Sequence, residues 1–266
     1  MLKIDEQHLL VCSKSTQKFF PSHEKIFIVN KAPDENIYNL RNSENDVIAI
    51  GGGAVIDTAK ILSNNPIVCY PTTAAGSSNT SHSVWWNGIK KESLLCKIPK
   101  ETIIVNEFLY DVPDKVRFET KCDLISHCLD SLWSKNKTPE SEKYANDALC
   151  MIKENDYTSI VNAGILGGKA IEITTTNVLH AISYPLTGIY GISHGMAMSF
   201  LIPIVSKYMN FEYPKNDYIK NIGKNVNWDI IIEESFSYSK IHDSNKAISK
   251  EDLKKIIELV VSKDKE

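Results

Sequence analysis

Two histidines at a fixed spacing, together with an acid–histidine pair, are the residues of this sequence best suited to metal chemistry. His180 and His194 lie fourteen positions apart among apolar residues, so folding would bury or half-bury both imidazoles. Asp123 and His127 lie four positions apart, so in a helix they project from one face, one turn apart. A carboxylate and three imidazoles suit Fe, Zn or Ni. The alternative is that the histidines are core residues bonded to backbone carbonyls.

Three consecutive glycines form a second pattern with chemical meaning. The apolar segment 46–50 (DVIAI) is typical of a buried strand; it runs into Gly51, Gly52 and Gly53, and AVIDTAKILS then reads as a helix. Glycines let backbone N–H groups approach a phosphate, and the start of a helix favours negative charge. The alternative is a tight turn that binds nothing.

These segments resemble the iron-containing (group III) alcohol dehydrogenase family. Its members carry an Asp-x-x-x-His helix and, later, two histidines at this same separation; ISHGMAMSFLIP is similar to the family's PHG(L/M)A…LLP segment. The resemblance implies that Asp123, His127, His180 and His194 bind one divalent metal, with Fe²⁺ favoured over Zn²⁺.

The resemblance extends to the nucleotide motifs of the family. GGGAVIDTAK is similar to GGGSxxDxAK, with Ala54 at the usual Ser, and PTTAAGSSN is similar to PTTxGTGSE, with Asn79 at the usual Glu. These motifs imply that the chain binds NADPH or NADH. The residues assigned to the cofactor are Asn30, Gly51, Gly52, Gly53, Asp57, Thr72, Thr73, Ser77 and Lys91.

The order of the elements predicts two domains. Apolar strand-like runs dominate up to about Val112, and helical patterns follow from Asp114. We therefore expect an α/β nucleotide-binding domain with a parallel, Rossmann-like sheet at residues 1–112. An all-α metal-binding domain should follow at residues 113–266.

Composition favours a soluble cytoplasmic protein. Apolar residues make up 42% of the chain and charged residues 24%, and the net charge of −3 gives no reason to expect nucleic acid. No apolar run approaches the roughly 18 residues of a membrane span. The six cysteines show no C-x-x-C pairing, which fits reduced thiols. A homodimer is expected from the family resemblance.

These parts specify hydride transfer between NAD(P)H and a small aldehyde or alcohol. Many family members place a further histidine four residues after the first; Tyr184 stands there, and we expect it near the open metal position, where it would shape substrate choice. SLWSKNKTPES and HAISYPLTGIYGISHG look closest to phosphonoacetaldehyde reductases. A phosphonate would need cationic or N–H partners, and Lys91 and Lys97 are candidates.

The chain departs from the family in length, which keeps other functions open. Lys60 and Pro71 are only eleven positions apart, where family members insert further helix and strand. A shortened, non-catalytic relative that retains metal binding is one alternative. A metal-dependent lyase of the dehydroquinate-synthase type is another, and the absence of its basic phosphate-binding cluster argues against it.

Coenzyme preference gives a first testable prediction. FIVNKAP resembles the family's VTDK segment and places Asn30 at its Asp. An acid at that position would accept hydrogen bonds from the ribose hydroxyls of NADH and would repel the 2′-phosphate of NADPH. Without that repulsion, and with Lys31 adjacent, NADPH should be favoured over NADH. Values of kcat/KM for both coenzymes, in wild type and Asn30→Asp, check this. A strong NADH preference in the wild type, or undiminished NADPH use in the variant, would contradict it.

Overall fold

Strands and helices alternate in the first part of the chain, and helices follow. A computed structural model describes residues 4–154, 156–222 and 225–263, with side chains described through Leu259. The first elements are β1 (Leu9–Ser13), α1 (Lys14–Gln17), β2 (Ile26–Val29), α2 (Glu35–Asn39), β3 (Val47–Gly51), α3 (Gly53–Leu62), β4 (Val68–Pro71), β5 (His82–Asn87), β6 (Lys90–Leu95) and β7 (Glu101–Thr102). The helices that follow are α4 (Asp114–Leu132), α5 (Pro139–Met151), α6 (Tyr157–Thr174), α7 (Val178–Tyr190), α8 (His194–Met209), α9 (Trp228–Ser237) and α10 (Lys250–Lys263).

A parallel sheet with strand order β2-β1-β3-β4-β7 organises the first part. Side chains alternate between its faces: Val11, Ala49 and Cys69 pair across β1, β3 and β4 and pack under α3. The intervening residues pack on the other face against Phe20 and Phe108. Both faces are thus buried, as is usual for parallel strands. This packing fixes the end of β3, where the glycines begin.

The parallel sheet followed by helices confirms the predicted fold class. Sequence reasoning did not predict β1, although β1 lies between β2 and β3. Its LLVCS run is only five residues long and follows a polar segment, so its pattern is weak without its sheet partners. The domain boundary between residues 112 and 113 stays a prediction; β7 ends at Thr102 and α4 begins at Asp114.

An antiparallel hairpin of β5 and β6 connects the sheet side of the molecule with α7. Its turn contains Gly88, at φ 59°, a conformation that glycine adopts without strain. On one side Trp86 N–H donates to the Pro33 carbonyl at 2.8 Å. On the other side a Cβ added to Gly188 would lie 2.1 Å from the Ile89 oxygen, so only glycine allows the hairpin to approach α7 this closely.

The loop at residues 72–80, here called the threonine loop, rests directly on the backbone of α6. A Cβ on Gly164 would lie 2.6 Å from the Ala74 oxygen, and one on Gly168 would lie 2.3 Å from the Gly76 oxygen. The glycines inside α6 therefore allow close packing against the loop, although each lowers helix propensity by about 1 kcal/mol relative to Ala. The loop is held against the helical part as well as the sheet.

Helix α4 is the central element of the helical part and packs against α5, α6, α7 and α8. Leu124, Leu129 and Trp133, which follows the last residue of α4, are buried. Burying side chains of this size stabilises the fold by about 1.5–3 kcal/mol each. This packing fixes the helix that carries Asp123 and His127. Among the described residues, no helix combines the length and apolarity that a bilayer crossing needs.

Gly168→Ala tests the contact between α6 and the threonine loop. The added methyl group would meet the Gly76 carbonyl, so the variant should lose about 1–3 kcal/mol of unfolding free energy despite the better helix propensity of Ala. Urea denaturation measures this loss. Lys169→Ala is the control, because Lys169 is the exposed neighbour in the same helix. Equal or greater stability of Gly168→Ala would show that the contact is not tight.

Candidate metal centre and nucleotide site

Three helices bring together the four predicted metal ligands, Asp123, His127, His180 and His194. Asp123 and His127 lie one turn apart on the face of α4 that meets α7 and α8. His180 lies in the first turn of α7, and His194 is the first residue of α8. The connection between the last two helices turns at Gly191, with φ 64°, which returns the chain towards α4. We call these four residues the metal centre.

The three imidazoles converge on one oxygen of Asp123. Its Oδ1 lies 3.6 Å from His127 Nε2, 3.6 Å from His180 Nε2 and 3.2 Å from His194 Nε2. The ligand atoms of Asp123, His180 and His194 all lie within 4.8 Å of one another. The His127 ring stacks on the His180 ring with centroids 4.8 Å apart. The geometry therefore groups all four residues, with the tightest set formed by three of them.

The chemistry of these atoms fits a divalent cation. Asp123 Oδ1 and His180 Nε2 are buried and have no hydrogen-bond partner among the described residues. Leaving buried polar atoms unpaired costs about 1–3 kcal/mol each, and a shared cation would remove that cost. Carboxylate oxygen and imidazole nitrogen are the donors that Fe²⁺ and Zn²⁺ accept.

Protonation states also favour a cation. Burial lowers the pKa of His127 to about 4 and that of His194 to about 3, so both imidazoles are neutral near pH 7. Burial alone would raise the pKa of Asp123, but His127 and His194 hold it well below its usual range. Burial disfavours the charged form of His180, yet the neighbouring carboxylates of Asp123 and Asp130 raise its pKa overall. A metal bound at Nε2 would replace the proton there.

Asp130 orients His180 from behind. This fully buried carboxylate lies 2.8 Å from His180 Nδ1 and accepts the backbone N–H groups of Asn177 at 2.8 Å and Leu179 at 3.1 Å. It thereby satisfies free N–H groups at the start of α7 and leaves Nε2 directed at Asp123. From the sequence alone, Asp130 was assigned no role. Its spacing of three residues from His127 was the available signal.

The other two imidazoles are supported differently. Ser183 Oγ lies 3.3 Å from His194 Nδ1, and Ser193, at the start of α8, donates to Glu119 at 2.8 Å. His127 Nδ1 is buried without a partner in the part of the chain that the structure describes. His180 is therefore the imidazole whose orientation is most firmly set by a charged neighbour.

The glycines at 51–53 have the features of a phosphate cradle. Gly52 is the N-cap of α3 and provides no side-chain cap, and the first turn of α3 carries no acid. Val55 N–H donates to the Gly52 oxygen at 3.0 Å, so the N–H groups that precede Val55 are the ones that face an anion at this helix end. A Cβ on Gly52 would lie 3.1 Å from Thr73 Oγ1, and this buried hydroxyl has no partner within the described ranges. Thr72 N–H donates to the Gly51 oxygen at 3.0 Å, which holds the threonine loop over the turn.

A buried lysine fixes the far end of the threonine loop. Lys60 Nζ donates to the backbone oxygens of Ser77 at 3.1 Å and of His82, and it lies 3.3 Å from Asp57 Oδ1. The Ser77 hydroxyl lies beside Gly53, at 3.4 Å from a Cβ added there. Of the predicted cofactor residues, Asp57 is thus paired with a cation, and Ser77 reaches the glycines. These assignments remain predictions.

Tyr184 and Lys91 lie beside the metal centre. The Tyr184 ring has its centroid 5.8 Å from that of His194 and 5.8 Å from that of His180, and its hydroxyl lies against Thr176 and Tyr238. Lys91 Nζ lies 4.2 Å from the centroid of the Tyr184 ring. Burial lowers the pKa of Lys91, and the carboxylates of Asp123 and Asp57 oppose this effect. The ring of Tyr184, more than its hydroxyl, faces the metal centre.

Other predicted residues lie apart from the metal centre. Asn30 and Lys31 are exposed at the end of β2, and Lys31 forms an ion pair with Asp34, the N-cap of α2. The cation beside Asn30 is therefore already paired with an acid, which the spacing of the motif alone did not indicate. Lys97 is exposed and donates to the Asn64 oxygen at 2.5 Å. Lys97 therefore has a hydrogen-bond acceptor nearby, whereas the ammonium of Lys91 has no hydrogen-bond or ion-pair partner within the described part of the chain.

Comparison with known proteins places these features in a family. Residues 118–264 match the model of the Fe-containing alcohol dehydrogenase family, C-terminal. The 4-hydroxybutyrate dehydrogenase of Clostridium kluyveri is 28% identical over 263 residues, covering 83% of this chain and 68% of that protein. Maleylacetate reductase 1 of Cupriavidus pinatubonensis is 25% identical over 205 residues, covering 70% of this chain and 56% of that protein. The chain thus spans only part of the length of these relatives.

Solved structures share the fold. An iron-containing alcohol dehydrogenase of Thermotoga maritima superposes with a TM-score of 0.79 at 21% identity, covering 96% of this chain and 92% of that one. The sulfoacetaldehyde reductase of Bifidobacterium kashiwanohense, in complex with NAD⁺, gives a TM-score of 0.75 at 20% identity, covering 96% and 91%. At these identities the likeness shows the architecture, a parallel sheet followed by helices.

Asp130→Asn tests the support of His180. The amide keeps the shape of the carboxylate but loses its charge, so metal binding should weaken about 10–100-fold, the usual cost of losing an outer partner of a ligand. Competition with a chromogenic chelator measures the Zn²⁺ dissociation constant. Asp147→Asn is the control, because Asp147 pairs with Lys143 on the exposed face of α5. Unchanged affinity in a folded Asp130→Asn protein would refute the role.

Proposed function

Because the chain belongs to the Fe-containing alcohol dehydrogenase family, we propose that it is a metal-dependent, NAD(P)-linked alcohol dehydrogenase or aldehyde reductase. The observation that carries the proposal is the convergence of three imidazole nitrogens on the Asp123 carboxylate, with Asp123 Oδ1 and His180 Nε2 buried and unpaired among the described residues. The glycines at 51–53 add a second, independent site, which is suited to the phosphates of a dinucleotide. The two sites together support hydride transfer between a nicotinamide coenzyme and a substrate whose oxygen would be bound to the metal.

Each part of the site has a task in this reaction. When bound, Fe²⁺ or Zn²⁺ supplies a Lewis acid for the substrate oxygen and NAD(P)H supplies the hydride. Asp123, His127, His180 and His194 would hold the metal. The N–H groups at the start of α3 and the Thr73 hydroxyl would bind the coenzyme phosphates, which their position beside Gly52 supports. The protein thus contributes orientation, and it binds both reactants without a covalent intermediate.

Tyr184 and the hairpin complete the pocket on the substrate side. The Tyr184 ring packs beside His180 and His194, and the contact between Gly188 and Ile89 closes the hairpin against the same helix. These groups would exclude water from the reacting atoms. The aromatic ring at Tyr184, where many family members carry a histidine, would thereby shape the choice of substrate.

The substrate is a small aldehyde or the corresponding alcohol. The printed names of the relatives include 4-hydroxybutyrate dehydrogenase, 1,3-propanediol dehydrogenase and sulfoacetaldehyde reductase, which supports this size class. Phosphonoacetaldehyde remains a prediction from the sequence resemblance. A cytoplasmic location, a homodimer and the division into domains at residues 1–112 and 113–266 are likewise proposals.

A non-catalytic role in metal binding is the second candidate. The short stretch between Lys60 and Pro71, where members of the family insert further helix and strand, favours it. Retention of all four ligands in one cluster argues for the enzyme, and a direct assay separates the two.

The assay uses protein loaded with Fe²⁺ or Zn²⁺, NADPH or NADH, and a panel of short aldehydes. Coenzyme oxidation followed at its near-ultraviolet absorbance should be metal-dependent. His194→Ala should weaken metal binding by more than the roughly 100-fold upper cost of losing an outer partner, and turnover should fall with it. His242→Ala, at an exposed histidine, is the control and should retain both. Absence of turnover with every aldehyde, in protein shown to hold its metal, would support the non-catalytic reading.

A further inference from the structure

Lys91 is a cation beside the metal centre whose ammonium has no hydrogen-bond or ion-pair partner among the described residues; its contact there is with the face of the Tyr184 ring. Its residue is half-buried on β6, and its ammonium lies 4.2 Å from the centroid of the Tyr184 ring. Among the described residues, no carboxylate lies within ion-pair distance of Lys91 Nζ and no acceptor bonds to it. Its neighbour Lys90 points outward and is exposed, as strand alternation requires.

The acids that face Lys91 are already engaged. Asp57 lies 3.3 Å from the buried Lys60, which has no exposed side-chain surface. Asp123 is committed to the three imidazoles, and Asp130 accepts the N–H groups of α7 and His180. A partly desolvated ammonium that lacks a counter-ion is costly, so the site has a place for an anion.

The balance of charge points the same way. Asp57 and Lys60 cancel each other, and the carboxylates of Asp123 and Asp130 together balance a divalent cation in the metal centre. The ammonium of Lys91 is then the remaining positive charge beside Tyr184. The surroundings of Lys91 next to the metal centre are therefore electropositive, which favours a negatively charged molecule over a neutral one of the same size.

Lys91 and the metal centre lie next to the same side chain, Tyr184, so one small molecule can contact both. The Tyr184 ring contacts the Lys91 ammonium and also the rings of His180 and His194, so both cationic positions border the same side chain. Building on the proposed function, we infer that Lys91 binds the anionic tail of a short aldehyde whose carbonyl oxygen faces the metal centre. The tail is a carboxylate, sulfonate or phosphonate a few carbons from the carbonyl. Lys91 thus determines specificity for charged substrates.

A coenzyme phosphate is the competing occupant of this position. The sequence resemblance assigned Lys91 to the coenzyme, and the hairpin also lies near α3, which carries Asp57. The two occupants predict different kinetics. Loss of a substrate contact changes the preference between charged and neutral aldehydes, whereas loss of a coenzyme contact changes the coenzyme KM for every aldehyde alike.

The kinetic experiment compares Lys91→Met with wild type on matched pairs of aldehydes. Succinic semialdehyde is paired with butanal, and sulfoacetaldehyde and phosphonoacetaldehyde are each paired with propanal. In the wild type, kcat/KM should favour the charged member, and Lys91→Met should lower that charged-to-neutral ratio about 10–100-fold, the range for a hydrogen bond to a charged group. Lys91→Arg should retain most of the ratio, and Lys90→Met should leave it unchanged. The pair with the largest drop identifies the tail.

A binding measurement makes the inference independent of turnover. Ethanesulfonate, a poor metal ligand, is titrated calorimetrically into the metal-loaded protein. Its dissociation constant should rise about tenfold or more in Lys91→Met and stay unchanged in Lys90→Met. Thermal unfolding confirms that each variant is folded, and Lys91→Gln replaces Lys91→Met if the latter is not.

The outcomes separate this inference from the proposed function. A charged-to-neutral ratio that does not depend on Lys91, or a higher coenzyme KM with an unchanged ratio, overturns the inference while the enzyme stands. If no aldehyde is reduced, the proposed function fails, and the calorimetry alone decides: Lys91-dependent binding of ethanesulfonate supports an anion site, and equal binding in Lys91→Met rejects it.

Discussion

The Asp130 carboxylate lies where α4 meets the first turn of α7, and most of the site depends on what it binds. It accepts two backbone N–H groups at the start of α7 and the Nδ1 proton of His180, with no exposure to solvent. A buried carboxylate is stable only when such donors surround it, and its charge favours the positive end of a helix. One residue therefore fixes the position of α7 on α4 and directs His180 at Asp123. The helix that carries Tyr184 is placed by the same interaction.

The metal centre could be predicted from sequence because its information is local. Asp123 and His127 need only a helix to share a face, and the resemblance supplied the distance to His180 and His194. The glycine turn at 51–53 was equally easy to recognise, because a strand, a tight turn and a helix occupy consecutive residues. Apolar runs likewise predicted β2, β3 and β4. Each of these features depends on residues that lie close together in the chain or on a spacing that the family resemblance supplies.

The features that escaped prediction depend on contacts between distant segments. β1 is recognisable only between β2 and β3, and the role of Asp130 exists only once α7 arrives some fifty positions later in the chain. The hairpin could have been found, because Asn87-Gly88 between two strand-like runs is a strong turn signal. Its contact with Gly188 could not, since nothing local marks that glycine as the place where another backbone approaches. The sequence marked Lys91 as a positive charge, but only the structure shows that, in the residues it describes, the ammonium lies on the Tyr184 ring and pairs with no carboxylate.

The glycines of α6 have a mechanical consequence. Gly164 and Gly168 bring the helix backbone against Ala74 and Gly76 with no side chains between them, so the threonine loop is seated on the helical part by contacts that leave no room to slide. Lys60 and the Thr72 N–H tie the same loop to α3 and to the end of β3. Because the loop is tied to both the sheet and α6, any shift of one against the other would have to break contacts of this loop.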